Sequence, residues 1–228
     1  MPILPEYVFS AWLLVALPAV WLVCSLVHQE IKRKNIAANL IFGPVDIETS
    51  PLIDQKTLVL QDTIYIFRTS VRNSPINMEE GRSVENAHIT ADFFTMHGER
   101  KELQVDFARW TDNPNPQLGG GHGLRFLSDW NFRTLAPNNA ANGIDFAIGT
   151  ESTRRLFGFR GASQETIDWQ EPMLRLKNGA YRVRLTIQGK GLDKPASEWL
   201  VIRNCAPPGD VSISFLRDEE WKNWIGVG

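Results

Sequence analysis

The sequence predicts an all-β domain, an enlarged antiparallel β-sandwich, preceded by one N-terminal transmembrane helix. Three observations predict it. Residues 8–27 form an uncharged apolar run of 20 residues. After Gln55 the hydrophobic period becomes two, the spacing at which side chains alternate between the faces of a strand. Eight or nine short segments carry that alternation, with no strong soluble helix among them.

The totals bound the reading. A chain of 228 residues has room for an anchor and one sizeable domain. The formal net charge of −2 gives no electrostatic footprint for nucleic acid, and 43% apolar residues are enough for a packed core. Cys24 lies in the apolar run and Cys205 near the other end, so no intramolecular disulfide is expected.

At 1.5 Å per residue the run over 8–27 would span about 30 Å, the thickness of a hydrocarbon core. Pro18 falls inside it, and Tyr7, Trp12 and Trp21 supply interface-seeking rings. A cleaved signal peptide needs a basic start and a small-residue exit, and "MPILPEY" has neither Lys nor Arg. The next segment, "HQEIKRKN", carries Lys32, Arg33 and Lys34. Cations beside an anchor stay on the cytoplasmic side, worth about 1 kcal/mol each. The expectation is a single-pass plasma-membrane protein with its N-terminus outside and its domain in the cytoplasm. The alternative places the domain outside. Anchor and basic flank take residues 1–35, with the span at 8–27. Gly43, Pro44 and Pro51 mark 36–56 as a linker, the sandwich takes 57–217, and 218–228 form a tail with Trp221 and Trp224.

The strands follow in order. In "TIYIFRTSV", Tyr65, Phe67 and Val71 share a face with Thr69 between. Ile89, Ala91 and Phe93 do so in "HITADFF", and Leu103, Val105 and Phe107 in "KELQVDFARW". Because the apolar residues of both are odd-numbered, their hairpin loop must hold an odd number of residues. A three-residue loop sets Asp92 opposite Asp106, a like-charge pair unless the two share a cation or an arginine. A five-residue loop, 96–100, sets Asp92 opposite Gln104 and is the favoured register. Further strands are expected in "GIDFAIG" and "RRLFGFR". "AYRVRLTI" puts Tyr181, Val183, Leu185 and Ile187 inward and Arg182, Arg184 and Thr186 outward. "SEWLVIRN" is apolar on both faces, as a central or covered strand would be, and "DVSISF" alternates again.

Leu176, Gly179 and Tyr181 in "LKNGAYRVRLTIQGKGL" have the spacing L-x-x-G-x-Y. This segment resembles the penultimate strand of immunoglobulin-like domains, and the resemblance implies a tyrosine corner at Tyr181. The cysteine such domains carry two residues later is Val183 here. "YIFRTSVRNSP" and "VENAHITADFF" resemble the early hairpin of prokaryotic adhesion-type modules. The resemblance covers about 70 residues and implies binding or spacing rather than catalysis. Residues 111–170 exceed such a module and read as an insert.

Catalytic signatures are missing from the sequence: there is no G-x-S-x-G, H-E-x-x-H or C-x-x-C. "LGGGHGLRF" lacks the following helix and the G-K-[ST] of a phosphate loop. His28, His88, His97 and His122 are scattered, so no metal and no cofactor is implied. The expected function is a non-catalytic, membrane-anchored binding or scaffolding module for a protein partner. His122, Arg125, Trp130 and Arg133 of the insert are the candidate contacts, since Arg and Trp are enriched in interface hot spots. The alternatives are an extracytoplasmic envelope or adhesion-type module, and an enzyme whose site is assembled across loops. No nucleic-acid partner is expected, and the sequence leaves the oligomeric state open.

Overall fold

The computed structural model describes residues 6–54, 57–77, 79–112, 131–137, 139–153, 155–160, 170, 172–204 and 211–216, with side chains from Leu17 onward. One helix, α1 (Glu6–Ile36), precedes thirteen strands. They are β1 (Leu40–Phe42), β2 (Asp46–Ile53), β3 (Leu60–Asn73), β4 (Val84–Thr95), β5 (Lys101–Asp106), β6 (Arg109–Trp110) and β7 (Arg133–Leu135). They continue with β8 (Asn142–Thr150), β9 (Leu156–Gly158), β10 (Arg175–Leu176), β11 (Gly179–Lys190), β12 (Ala196–Asn204) and β13 (Val211–Phe215). All pair antiparallel in two sheets. The first runs β1-β3-β8-β9-β10, with β2 on β3 and β6 on β8. The second runs β13-β12-β11-β4-β5, with β7 on β4.

The alternation read from sequence is the core. Tyr65, Phe67, Thr69 and Val71 of β3 point to the space between the sheets, as do Ile89, Ala91 and Phe93 of β4 and Val183, Leu185 and Ile187 of β11. The β4–β5 hairpin takes the five-residue loop, with Asp92 opposite Gln104 and Ala91 opposite Val105. "GIDFAIG" and "RRLFGFR" contain β8 and β9. The Tyr181 hydroxyl donates to the Lys177 carbonyl at 2.9 Å, and burial pushes its proton affinity up.

Four expectations are corrected. The first is the anchor. Helix α1 forms, but among the described residues no helix is long and apolar enough to cross a membrane. The helix is 31 residues long, but Pro18 lies inside it and His28, Gln29, Glu30, Lys32, Arg33 and Lys34 make its last third polar. The single-pass localisation, the outside N-terminus, the cytoplasmic domain and the membrane as partner rested on that anchor and fall with it. So does the resemblance to an adhesion-type module carried on an anchor; two antiparallel sheets are what remains of it. The three cations of the basic flank make local contacts. Lys32 Nζ lies 3.7 Å from Glu80, while Arg33 and Lys34 pair with Glu30 one turn back at 3.3 and 3.9 Å.

The second is the linker. Residues 40–53 are strands β1 and β2, laid end to end along the 14-residue β3. At the break between them, the Gly43 amide donates to the Ser70 carbonyl at 2.7 Å, and a Cβ there would stand 2.2 Å from Ser70 Oγ. The third is the insert. β8 lies within the first sheet between β3 and β9, so part of 111–170 is framework rather than an added loop. The fourth is Phe107, which points out instead of in. Its φ is +59°, and Asp106 and Phe107 are both exposed while Ala108 is buried. The chain leaves the second sheet after β5 and enters the first at β6, and the left-handed residue between them resets the alternation.

The first sheet is covered on both faces. Its outer side carries Leu52, Ile64, Ile66, Ile148, Phe157 and Phe159, all nearly inaccessible. Beside them Asp145, fully buried, accepts from Arg68 Nε at 2.6 Å and from Thr111 Oγ1 at 3.0 Å, and pairs with the buried Arg109. The Arg109 guanidinium lies 5.1 Å from the Phe159 ring centre. Burial lowers Arg109's proton affinity, and Asp145 opposes it.

Candidate functional site

The outer face of the second sheet is the open one. Strand parity decides which side chains stand on it: even-numbered residues of β4, β5 and β11, and odd-numbered Trp199 of β12. Register then sorts them into rows. Gln104, Asp92, Arg184 and Trp199 form one row, and Asp106, Thr90, Thr186 and Ser197 the next. His88 and Gln188 form a third. Between the β5, β4 and β11 members lies a shallow concavity of about 500 Å³, closed at one end by Phe107.

Asp92 is the centre of the first row. It is 4% exposed, and its Oδ2 accepts from Arg184 Nη2 at 2.8 Å. Lys101 Nζ stands 2.8 Å from Oδ1, in ion-pair contact but poorly aligned for a hydrogen bond. Burial raises the proton affinity of Asp92, yet Lys101 and Arg184 together outweigh burial and hold it below the usual carboxylate range. Asp106 stands opposite Thr90 rather than Asp92, and its Oδ1 accepts from Gln104 Nε2 at 2.7 Å.

Two ring clusters flank the concavity. Arg184 lies between Phe94 and Trp199, with its guanidinium carbon 5.9 and 5.6 Å from their ring centres. Arg182 also lies over Trp199, at 5.9 Å, and donates to the Thr95 carbonyl at the end of β4 and the Gly98 carbonyl of the loop that follows. Trp199 is half-buried under these arginines, which is why "SEWLVIRN" reads as apolar on both faces. At the opposite end His88, Phe107 and Phe132 pack with centroids 5.5–5.8 Å apart, and both Phe rings remain more than a third exposed.

Of the candidate contacts, Arg133 is described. It sits in β7, whose register sets it against Ala87, and its guanidinium pairs with Asp112. Its neighbour Phe132 is the residue that reaches the face. His122, Arg125 and Trp130 lie outside the described residues, as do Cys205, Trp221 and Trp224. Cys24 is a free, exposed thiol on α1. Among the described residues no group of three His, Cys, Asp or Glu is placed to hold a metal ion.

Sequence reasoning had placed Arg182, Arg184 and Thr186 outward and Asp92 across from Gln104. It missed Phe107, Trp199 and Phe132 as parts of one surface. Parity argued against Phe107, and nothing local links residues 94, 184 and 199. No protein-family model and no curated protein sequence matches the chain.

Proposed function

We propose that this all-β domain is a non-catalytic binding module that meets its ligand with the outer face of the second sheet. The observation that carries the reading is the row Gln104, Asp92, Arg184 and Trp199: a polar and aromatic surface on an otherwise packed sandwich, held stiff by ion pairing and stacking. Preorganised side chains on strands lose little entropy when a ligand docks. The carboxylate at the centre has its proton affinity shifted down, the wrong direction for a general acid at neutral pH. Of the sequence-level readings, the envelope or adhesion-type module is the one carried forward, since it needs an open sheet face and no membrane-crossing helix.

Site-directed photo-crosslinking tests this. A benzophenone side chain at Thr186, on the face, should capture a ligand from the native milieu. The same probe at Glu151, exposed in the turn between β8 and β9, should capture none. Arg184→Ala should weaken capture at Thr186. Equal capture at both positions, or capture indifferent to Arg184→Ala, rules the face out.

A further inference from the structure

We infer that the ligand of this face is an uncharged, hydroxyl-rich chain, a neutral oligosaccharide, seated in the concavity with one sugar ring against Phe107. The inference rests on the binding-module reading above and assigns its ligand class.

Charge comes first. Asp92, Asp106 and Arg184 line the concavity, and Lys101, paired with Asp92 from beyond its rim, brings the local set to balance. A balanced set gives no net field to draw in a polyanion or polycation. Asp92 is ion-paired with both Arg184 and Lys101, so a charged ligand at either end of that set would compete with an existing pair.

Hydrogen-bonding capacity comes second. Among the described residues, the hydroxyls of Thr90 and Thr186 and the amide of Gln188 bond no other protein group, and all three border the concavity. Hydroxyls and amides both donate and accept, which matches the mixed requirement of a sugar hydroxyl. Thr90 and Thr186 face each other across β4 and β11, about 5 Å apart, and Gln188 stands two residues further along β11, about 7 Å from Thr186.

The third observation is Phe107. An exposed phenyl ring at the edge of a polar concavity is a platform for the apolar face of a pyranose ring. It is held there by a backbone conformation that disfavours any residue except glycine. The crossover between sheets requires the turn; it does not require a phenyl ring turned outward at 36% exposure. His88 and Phe132 brace that ring from two sides.

The test titrates the full chain with a panel of neutral oligosaccharides: gluco-, manno-, xylo- and chito-oligomers of four to six units. Two variants accompany it. Phe107→Gly removes the platform while relaxing the positive φ, and Thr186→Val removes a hydroxyl and keeps β-branching. The expected result is saturable binding of at least one oligomer, weakened about tenfold in each variant, with unfolding midpoints no lower than the parent's for Phe107→Gly. No binding at millimolar concentration across the panel overturns the inference, as does binding that both variants leave intact. If crosslinking at Thr186 instead captures a protein while the panel stays silent, the sugar assignment falls and the binding face stands. If crosslinking shows no preference for the face, both fall.

Discussion

Asp92 and Arg184 face each other across β4 and β11, with Oδ2 and Nη2 2.8 Å apart on the outer side of the second sheet. They are 92 residues apart in sequence, and their contact orders the surface around them. Arg184 is fixed by Asp92 below and by Phe94 and Trp199 beside it, so it presents one guanidinium edge rather than a cloud of rotamers.

Asp92→Asn should lower stability by about 1 kcal/mol at neutral pH, because its partners are partly solvated and the pair is screened. The pH dependence has a definite sign. The folded-state proton affinity of Asp92 is depressed, so its contribution is present above about pH 4 and is lost as pH falls through the lower folded value. Urea midpoints of parent and variant should differ at pH 7 and converge in acid. A gap that stays constant with pH contradicts the assignment.

Asp145→Asn should be far more damaging. It leaves Arg68 and the fully buried Arg109 without their shared carboxylate, and breaking a buried pair from one side costs about 3–5 kcal/mol. The double variant Asp145→Leu with Arg109→Met should recover much of that loss, since both charges leave together. Denaturant titration of the three chains separates the outcomes. A loss below about 1 kcal/mol in Asp145→Asn would show that the network is not the buried unit described.

Asn73 joins helix to sandwich, and Asn73→Ala should loosen the junction. Its amide nitrogen donates to the Arg82 and Leu135 carbonyls at 2.7 and 3.0 Å, and its oxygen accepts from the Asn39 amide at 3.1 Å. The loop it holds caps α1: the Asn77 and Arg82 amides donate to the Asn35 and Ile36 carbonyls at 2.8 and 2.9 Å. The expected cost is about 2–3 kcal/mol, with Asn73→Asp at least as severe because it turns an acceptor toward two carbonyls. Amide exchange at Asn77 and Arg82 should accelerate in both variants. Unchanged protection there would place the cap's stability elsewhere.

The sequence by itself determined the strand periods, the inward and outward sides of β4 and β11, and the five-residue hairpin loop. These are local matters. A strand has period two whatever it packs against, and facing residues must share a side, so parity and like-charge repulsion choose the register between neighbours. Only the tertiary structure decided the rest. Hydrophobicity of residues 8–27 argued for a spanning helix, yet among the described residues no helix is long and apolar enough to cross a membrane. Comparison with the size of an immunoglobulin-like module made 111–170 an insert, although pairing with β3 puts β8 inside the first sheet. Phe107 faces out because the chain changes sheets there, an event no alternation pattern encodes. The joining of Asp92, Arg184, Phe94 and Trp199 into one surface likewise depends on which strands become neighbours. That choice is made by burial of a shared core across the whole domain, and no short window of sequence contains it.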